Sequence, residues 1–136
     1  MTTRGSETVD DTGGAVTTLV VDDDADMRLL VRSVLRRGGI DVVGEAADGT
    51  EALAKFSQLH PPEPTVVLLD NQMPDLTGVE VASRIKRTSP DQLIVLFSAY
   101  LSESIIAEAG RLGVAACVSK TDALKLSQII RDLIAN

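Results

Sequence analysis

At 136 residues and 44% hydrophobic content, the chain suits one globular domain, with an aliphatic core because aromatic residues are only 2%. A net charge of −7 argues against nucleic acid as a direct partner, since that affinity comes from Lys and Arg neutralising phosphates. Apolar stretches of about five residues are too short to span a membrane, no signal-peptide pattern opens the chain, and the single Cys117 excludes an intramolecular disulfide, so the chain reads as cytoplasmic.

Residues 1–14, rich in Thr, Gly, Ser and Asp, read as a disordered leader, with the domain proper over 15–136. From Ala15 onward short apolar runs alternate with helical patterns, as in βαβ units around a parallel sheet. A first strand is expected at about 16–22, then a helix at about 26–37. Met27, Leu30, Val31 and Val34 stand at core spacing there, and Gly38-Gly39 stops the helix. Asp24 and Asp26 fit an N-cap and a dipole partner better than metal ligands. The second strand, 41–46, contains Gly44 and Glu45 and looks like an edge. Asp48 and Glu51 form a capping-box pattern opening a helix at 49–59 that closes before Pro61-Pro62. A third strand at 65–70 leads through the turn-rich Pro74-Asp75-Leu76-Thr77-Gly78 into a helix at 78–88. The fourth strand, 93–98, precedes a helix at 102–112, and the fifth, 115–119, a helix at 123–135 with Leu126, Ile129, Ile130 and Leu133 as its apolar stripe. The whole is a doubly wound (βα)5 α/β fold. Right-handed crossovers and a strand order 2-1-3-4-5 place the switch point between strands 1 and 3.

Four of the five strands run into polar groups able to handle a phosphoryl ligand: Asp22 and Asp23, Asp70, Ser98 and Lys120. In an open parallel sheet such groups gather beyond the carboxyl ends of the strands. Close carboxylate pairs repel by about 4 kcal/mol at an effective dielectric near 20. Magnesium suits an all-oxygen, partly hydrated site of this kind. Three aspartates give −3, and Mg²⁺ with Lys120 returns +3. One aspartate could then attack a phosphoryl group, with the metal, Ser98 and Lys120 stabilising the transferring oxygens.

Other readings of the acids fit less well. A calcium loop starting at Asp22 needs Gly at 27 and Glu at 33, where Met27 and Ser33 stand. A dehalogenase-like phosphatase expects small turn residues and Thr after its Asp-x-Asp, unlike Ala25-Asp26-Met27. A flavin-phosphate loop would not be acidic. Arg28, Arg32 and Arg36 form either a solvated face or a docking surface beside the acids. His60 is a loop residue, and Cys117 a small buried strand residue rather than a redox sensor.

Together, Val20-Val21-Asp22-Asp23-Asp24, Leu68-Leu69-Asp70-Asn71-Gln72-Met73-Pro74-Asp75-Leu76-Thr77-Gly78, Phe97-Ser98-Ala99 and Val118-Ser119-Lys120 resemble the receiver domain of two-component response regulators. The resemblance covers about 16–135. It implies that Asp70 is the phospho-acceptor in a magnesium-dependent, self-catalysed transfer, with Asp22, Asp23, Asp70 and the backbone carbonyl of Gln72 around the ion. Ser98 and Lys120 would hold phosphoryl oxygens. The donor would be a phosphohistidine on a sensor histidine kinase or histidine phosphotransfer protein. A downstream protein or a second copy would meet the helix 4–strand 5–helix 5 face. Cys117 stands where the family usually has a reorienting aromatic, leaving the switch to Ser98. Thr121 replaces a frequent proline, so the Lys120–Thr121 bond is expected to be trans. Gln72 and Tyr100 occupy positions that influence phosphoryl lifetime. The stretch 120–130 also resembles receivers preceding a helix-turn-helix domain, so a stand-alone receiver, a fragment of a DNA-binding regulator and a phosphate-independent pseudo-receiver remain alternatives.

Overall fold

The computed structural model describes residues 15–135, so the expected leader lies outside the described residues. Five strands, β1 (Thr17–Val21), β2 (Asp41–Ala46), β3 (Val66–Leu69), β4 (Leu93–Ser98) and β5 (Ala116–Ser119), form one parallel sheet in the order β2-β1-β3-β4-β5. Helices α1 (Ala25–Arg37), α2 (Gly49–Gln58), α3 (Gly78–Thr88), α4 (Glu103–Arg111) and α5 (Leu126–Ala135) follow the strands in turn. The 2-1-3-4-5 order and the edge position of β2 agree with the sequence reading.

The alternation of side chains along each strand makes two cores. Val20, Leu68, Val95 and Phe97 face Val31 and Leu35 of α1 and Leu126 and Ile130 of α5. Val21, Leu69, Ile94 and Leu96 face Ala52, Val81, Ala82, Ile85 and Ala109 of α2, α3 and α4. Strands covered on both faces need continuous apolar runs, which β3 supplies with four consecutive buried residues.

Local differences from the sequence reading have physical causes. Leu30 is exposed; the buried side of α1 runs through Val31 and Leu35, with Met27 and Val34 packed beside them. The Asp48 carboxylate caps α2 through the Glu51 N–H at 2.8 Å, but the Glu51 side chain accepts from Ala47 N–H instead of Asp48. The reciprocal capping box stands at α3, between Thr77 and Glu80. The last helix does not begin at 123. A 3-10 turn, Lys120–Lys125, opens on the Ser119 hydroxyl and kinks at Asp122 before α5 starts. Gly39, at φ 77°, provides the left-handed residue after α1.

Candidate active site

The parallel register brings the strand ends to one rim, where Val21 pairs with Leu69, Leu69 with Leu96, and Ser98 with Ser119. Asp22 and Asp70 are held at the ends of β1 and β3 by further ladder bonds, Asp22 N–H to the Ala46 carbonyl at 3.0 Å and Asp70 N–H to the Val21 carbonyl at 2.9 Å. Both aspartates are almost wholly buried, whereas Asp23 is exposed. One oxygen from each of Asp22, Asp23 and Asp70 lies within 4.8 Å of the others.

Asp70 is gripped from two other strands. The Ser98 hydroxyl donates to its Oδ1 at 3.1 Å, and Lys120 Nζ donates to its Oδ2 at 3.2 Å. Gln72 N–H also donates to Oδ1, at 3.2 Å. Lys120 Nζ stands 2.8 Å from Asp22 Oδ2 as well. That oxygen has no hydrogen bond of good angle, so the contact is an ion pair governed by distance. Asp22 Oδ1 accepts from Asp24 N–H at 2.9 Å.

Burial pushes the Asp22 carboxyl up against the opposing pull of Lys120. Burial alone would lower Lys120, but Asp22 and Asp70 together outweigh it and raise the ammonium, which stays charged at neutral pH. Three carboxylates against one ammonium leave an excess of two negative charges. Carboxylate oxygens within 4.8 Å of one another repel by at least about 3 kcal/mol per charged pair at an effective dielectric of about 20. An all-oxygen set, partly exposed through Asp23 and with a −2 excess, fits a hydrated divalent cation such as Mg²⁺.

The loop after β3 is fixed by residues to which the sequence reading gave no role. Buried Asn71 takes Gly78 N–H on its carbonyl and Val79 N–H on its Oδ1, both at 3.0 Å, tying α3 to the strand end. Asp75 reaches α2, accepting from Gly49 N–H and Thr50 N–H at 2.9 Å and from the Thr50 hydroxyl at 2.6 Å. Those three bonds, the Thr50 hydroxyl foremost, hold the Asp75 carboxyl well below the usual range. For Asn71 the signal was a polar amide directly after an apolar strand.

Asp24 is the N-cap of α1 and Asp26 lies in its first turn, as expected. His60 and Tyr100 are exposed. Cys117 packs with the α2–α4 core, and burial pushes its thiol up, away from thiolate reactivity. The Lys120–Thr121 peptide is trans.

A doubly wound sheet with carboxylates, a hydroxyl and an ammonium converging at its switch point defines a class of phosphoryl-responsive α/β domains. The sequence pattern of the response regulator receiver domain matches residues 18–131. The chain is 33% identical to the chemotaxis protein CheY of Thermotoga maritima over 95 residues, 70% of this chain and 77% of that protein. The structure superimposes on the response regulator domain of Thermotoga maritima CheB with a TM-score of 0.80, at 29% identity, covering 90% of this chain and 98% of that one. The CheX–CheY–BeF3–Mg²⁺ complex of Borrelia burgdorferi gives 0.84 at 26% identity, covering 91% and 92%. The chain belongs to the response regulator receiver domain family of two-component signalling.

Proposed function

We propose that residues 15–136 act as a phosphorylation-driven switch in the cytoplasm, with Asp70 as acceptor. The observation that carries this reading is the double grip on Asp70, Ser98 at one carboxylate oxygen and Lys120 at the other. A small tetrahedral anion built on that carboxylate inherits both donors. In the transfer, an Asp70 carboxylate oxygen bonds to phosphorus as the nitrogen–phosphorus bond of a phosphohistidine breaks. The freed imidazole nitrogen keeps the electron pair of that bond. Ser98 Oγ and Lys120 Nζ then pass from the carboxylate to the phosphoryl oxygens. Asp22, Asp23, Asp70 and the Gln72 carbonyl would hold Mg²⁺, which would offset the charge on those oxygens. The donor is a sensor histidine kinase or a histidine phosphotransfer protein.

The new dianion draws Ser98 and the loop after β4 inward, biasing a two-state equilibrium of the α4–β5–α5 face. Cys117 gives that face a small, half-buried side chain in place of a swinging ring. Ile106 on α4 and Leu124 before α5 are exposed, as suits contact with a downstream protein or a second copy. The test is incubation with acetyl phosphate with and without Mg²⁺, followed by phosphate-affinity electrophoresis. A shifted band that needs Mg²⁺ and disappears in Asp70→Asn is expected. A folded wild-type protein that gains no phosphate in Mg²⁺ would overturn the reading.

A further inference from the structure

The basic side of α1 is more than a solvated face. Arg28 is largely buried, with its side chain 20% exposed, and its guanidinium is engaged twice. One terminal nitrogen donates to the backbone carbonyl of Asp22 at 2.6 Å, and Nε lies 3.3 Å from Glu45 Oε1. The other Glu45 oxygen pairs with Arg32. Lys55 donates to the Glu45 backbone carbonyl and stands 3.5 Å from Glu51. The chain just past the end of β1 is thus tied to Glu45 of β2 through one guanidinium, and Lys55 ties Glu45 in turn to α2.

We infer that Arg28 is a positioning residue for the acidic loop, with Glu45 as its anchor. Asp22, Asp23 and Asp24 are consecutive like charges whose repulsion tends to splay the backbone. The Asp22 carbonyl belongs to the peptide that joins Asp22 to Asp23. Fixing it sets the directions in which the buried and the exposed carboxylate leave the chain. A guanidinium can serve a carbonyl and a carboxylate from separate N–H groups of one rigid plane, which an ammonium on a flexible stem cannot do as well. The inference rests on the proposed role of Asp22 and Asp23 as cation ligands.

Calorimetric Mg²⁺ titration of the unphosphorylated protein, beside its thermal midpoint, tests it. Loss of a group that orients metal ligands typically weakens metal affinity about 10–100-fold. Arg28→Met is expected to weaken Mg²⁺ binding by about that factor, and Arg28→Lys to recover only part of it. Phosphorylation by acetyl phosphate should need correspondingly more Mg²⁺ and recover when Mg²⁺ saturates. Glu45→Gln should shift affinity the same way by less, and add little in the Arg28→Met background, because the two act as one unit. If Arg28→Met does not fold, the Glu45→Gln and Arg28→Lys titrations decide. Unchanged Mg²⁺ affinity in the folded variants, with only the midpoint lowered, would overturn the inference and leave the switch intact. A wild-type protein that binds no Mg²⁺ would instead overturn the reading on which it rests.

Discussion

Gly78→Ala strikes the joint between β3 and α3. An ideal Cβ on Gly78 would sit 2.4 Å from the Asp70 carbonyl oxygen and 2.9 Å from Asn71 Cα. Both are main-chain atoms, so neither can swing aside as a side chain would. Retreat of α3 is also resisted, because Gly78 N–H and Val79 N–H each bond to Asn71 at 3.0 Å. Overpacking of this kind costs about 1–3 kcal/mol, and a weakened buried hydrogen bond adds about 1 kcal/mol. Alanine's lower unfolded-state entropy returns roughly 0.5–1 kcal/mol. The net expectation is a loss of about 1–3.5 kcal/mol, or roughly 3–17 °C in thermal midpoint for a domain of this size. Gly110 in α4 is the matched control, since nothing lies within 4 Å of its added Cβ. Gly110→Ala should stabilise by about 0.5–1 kcal/mol. Urea denaturation of both variants reads the difference, and the Gly78 variant should also take up phosphate more slowly because the Asp70 backbone must shift. A Gly78→Ala protein as stable as wild type, or one more stable than Gly110→Ala, would refute the steric reasoning.

Two further outcomes follow from polar groups. Thr18 is fully buried and its hydroxyl has no hydrogen-bond partner; Thr18→Val should raise stability by about 1 kcal/mol, and a lower urea midpoint would contradict that. Asp75, with its folded-state pKa depressed by the Thr50 hydroxyl and the first N–H groups of α2, stabilises the fold fully above the unfolded carboxylate value of about 4. That contribution fades as pH falls below that value and is lost once the folded carboxyl protonates. Denaturation at neutral and acid pH should therefore show Asp75→Asn less stable than wild type at neutral pH and closer to it in acid; a gap that widens in acid would count against the cap.

What the sequence disclosed and what it hid divide along physical lines. Val66 to Leu69 announce a buried strand because each side chain must be apolar when both faces are covered, and Asp70 follows as the first residue free of that demand. Asp22 is legible for the same reason, and Ser98 and Lys120 as the polar groups that close β4 and follow β5. Leu30 misled because apolar spacing marks a helical face only to within a turn, and Leu35 completed the buried stripe instead. Thr77-x-x-Glu80 carried the same capping pattern as Asp48-x-x-Glu51, yet it sat inside a turn already accounted for by Pro74 and Gly78. The start of the last helix was hidden because Ser119 caps a 3-10 turn at a strand end, where propensity offers little guidance. Asp75 and Arg28 act across 25 and 6 residues on groups that only the folded chain brings near. No local pattern reports such contacts.

The most direct test of the account is the chemical identity of the phosphorylated residue. After treatment with acetyl phosphate and Mg²⁺, borohydride reduction converts an aspartyl phosphate to homoserine, which peptide mass spectrometry locates. The account predicts homoserine at position 70 alone, absent when Mg²⁺ is withheld and reduced in Lys120→Met. Phosphate found on another side chain, or none on a folded protein in Mg²⁺, would contradict it.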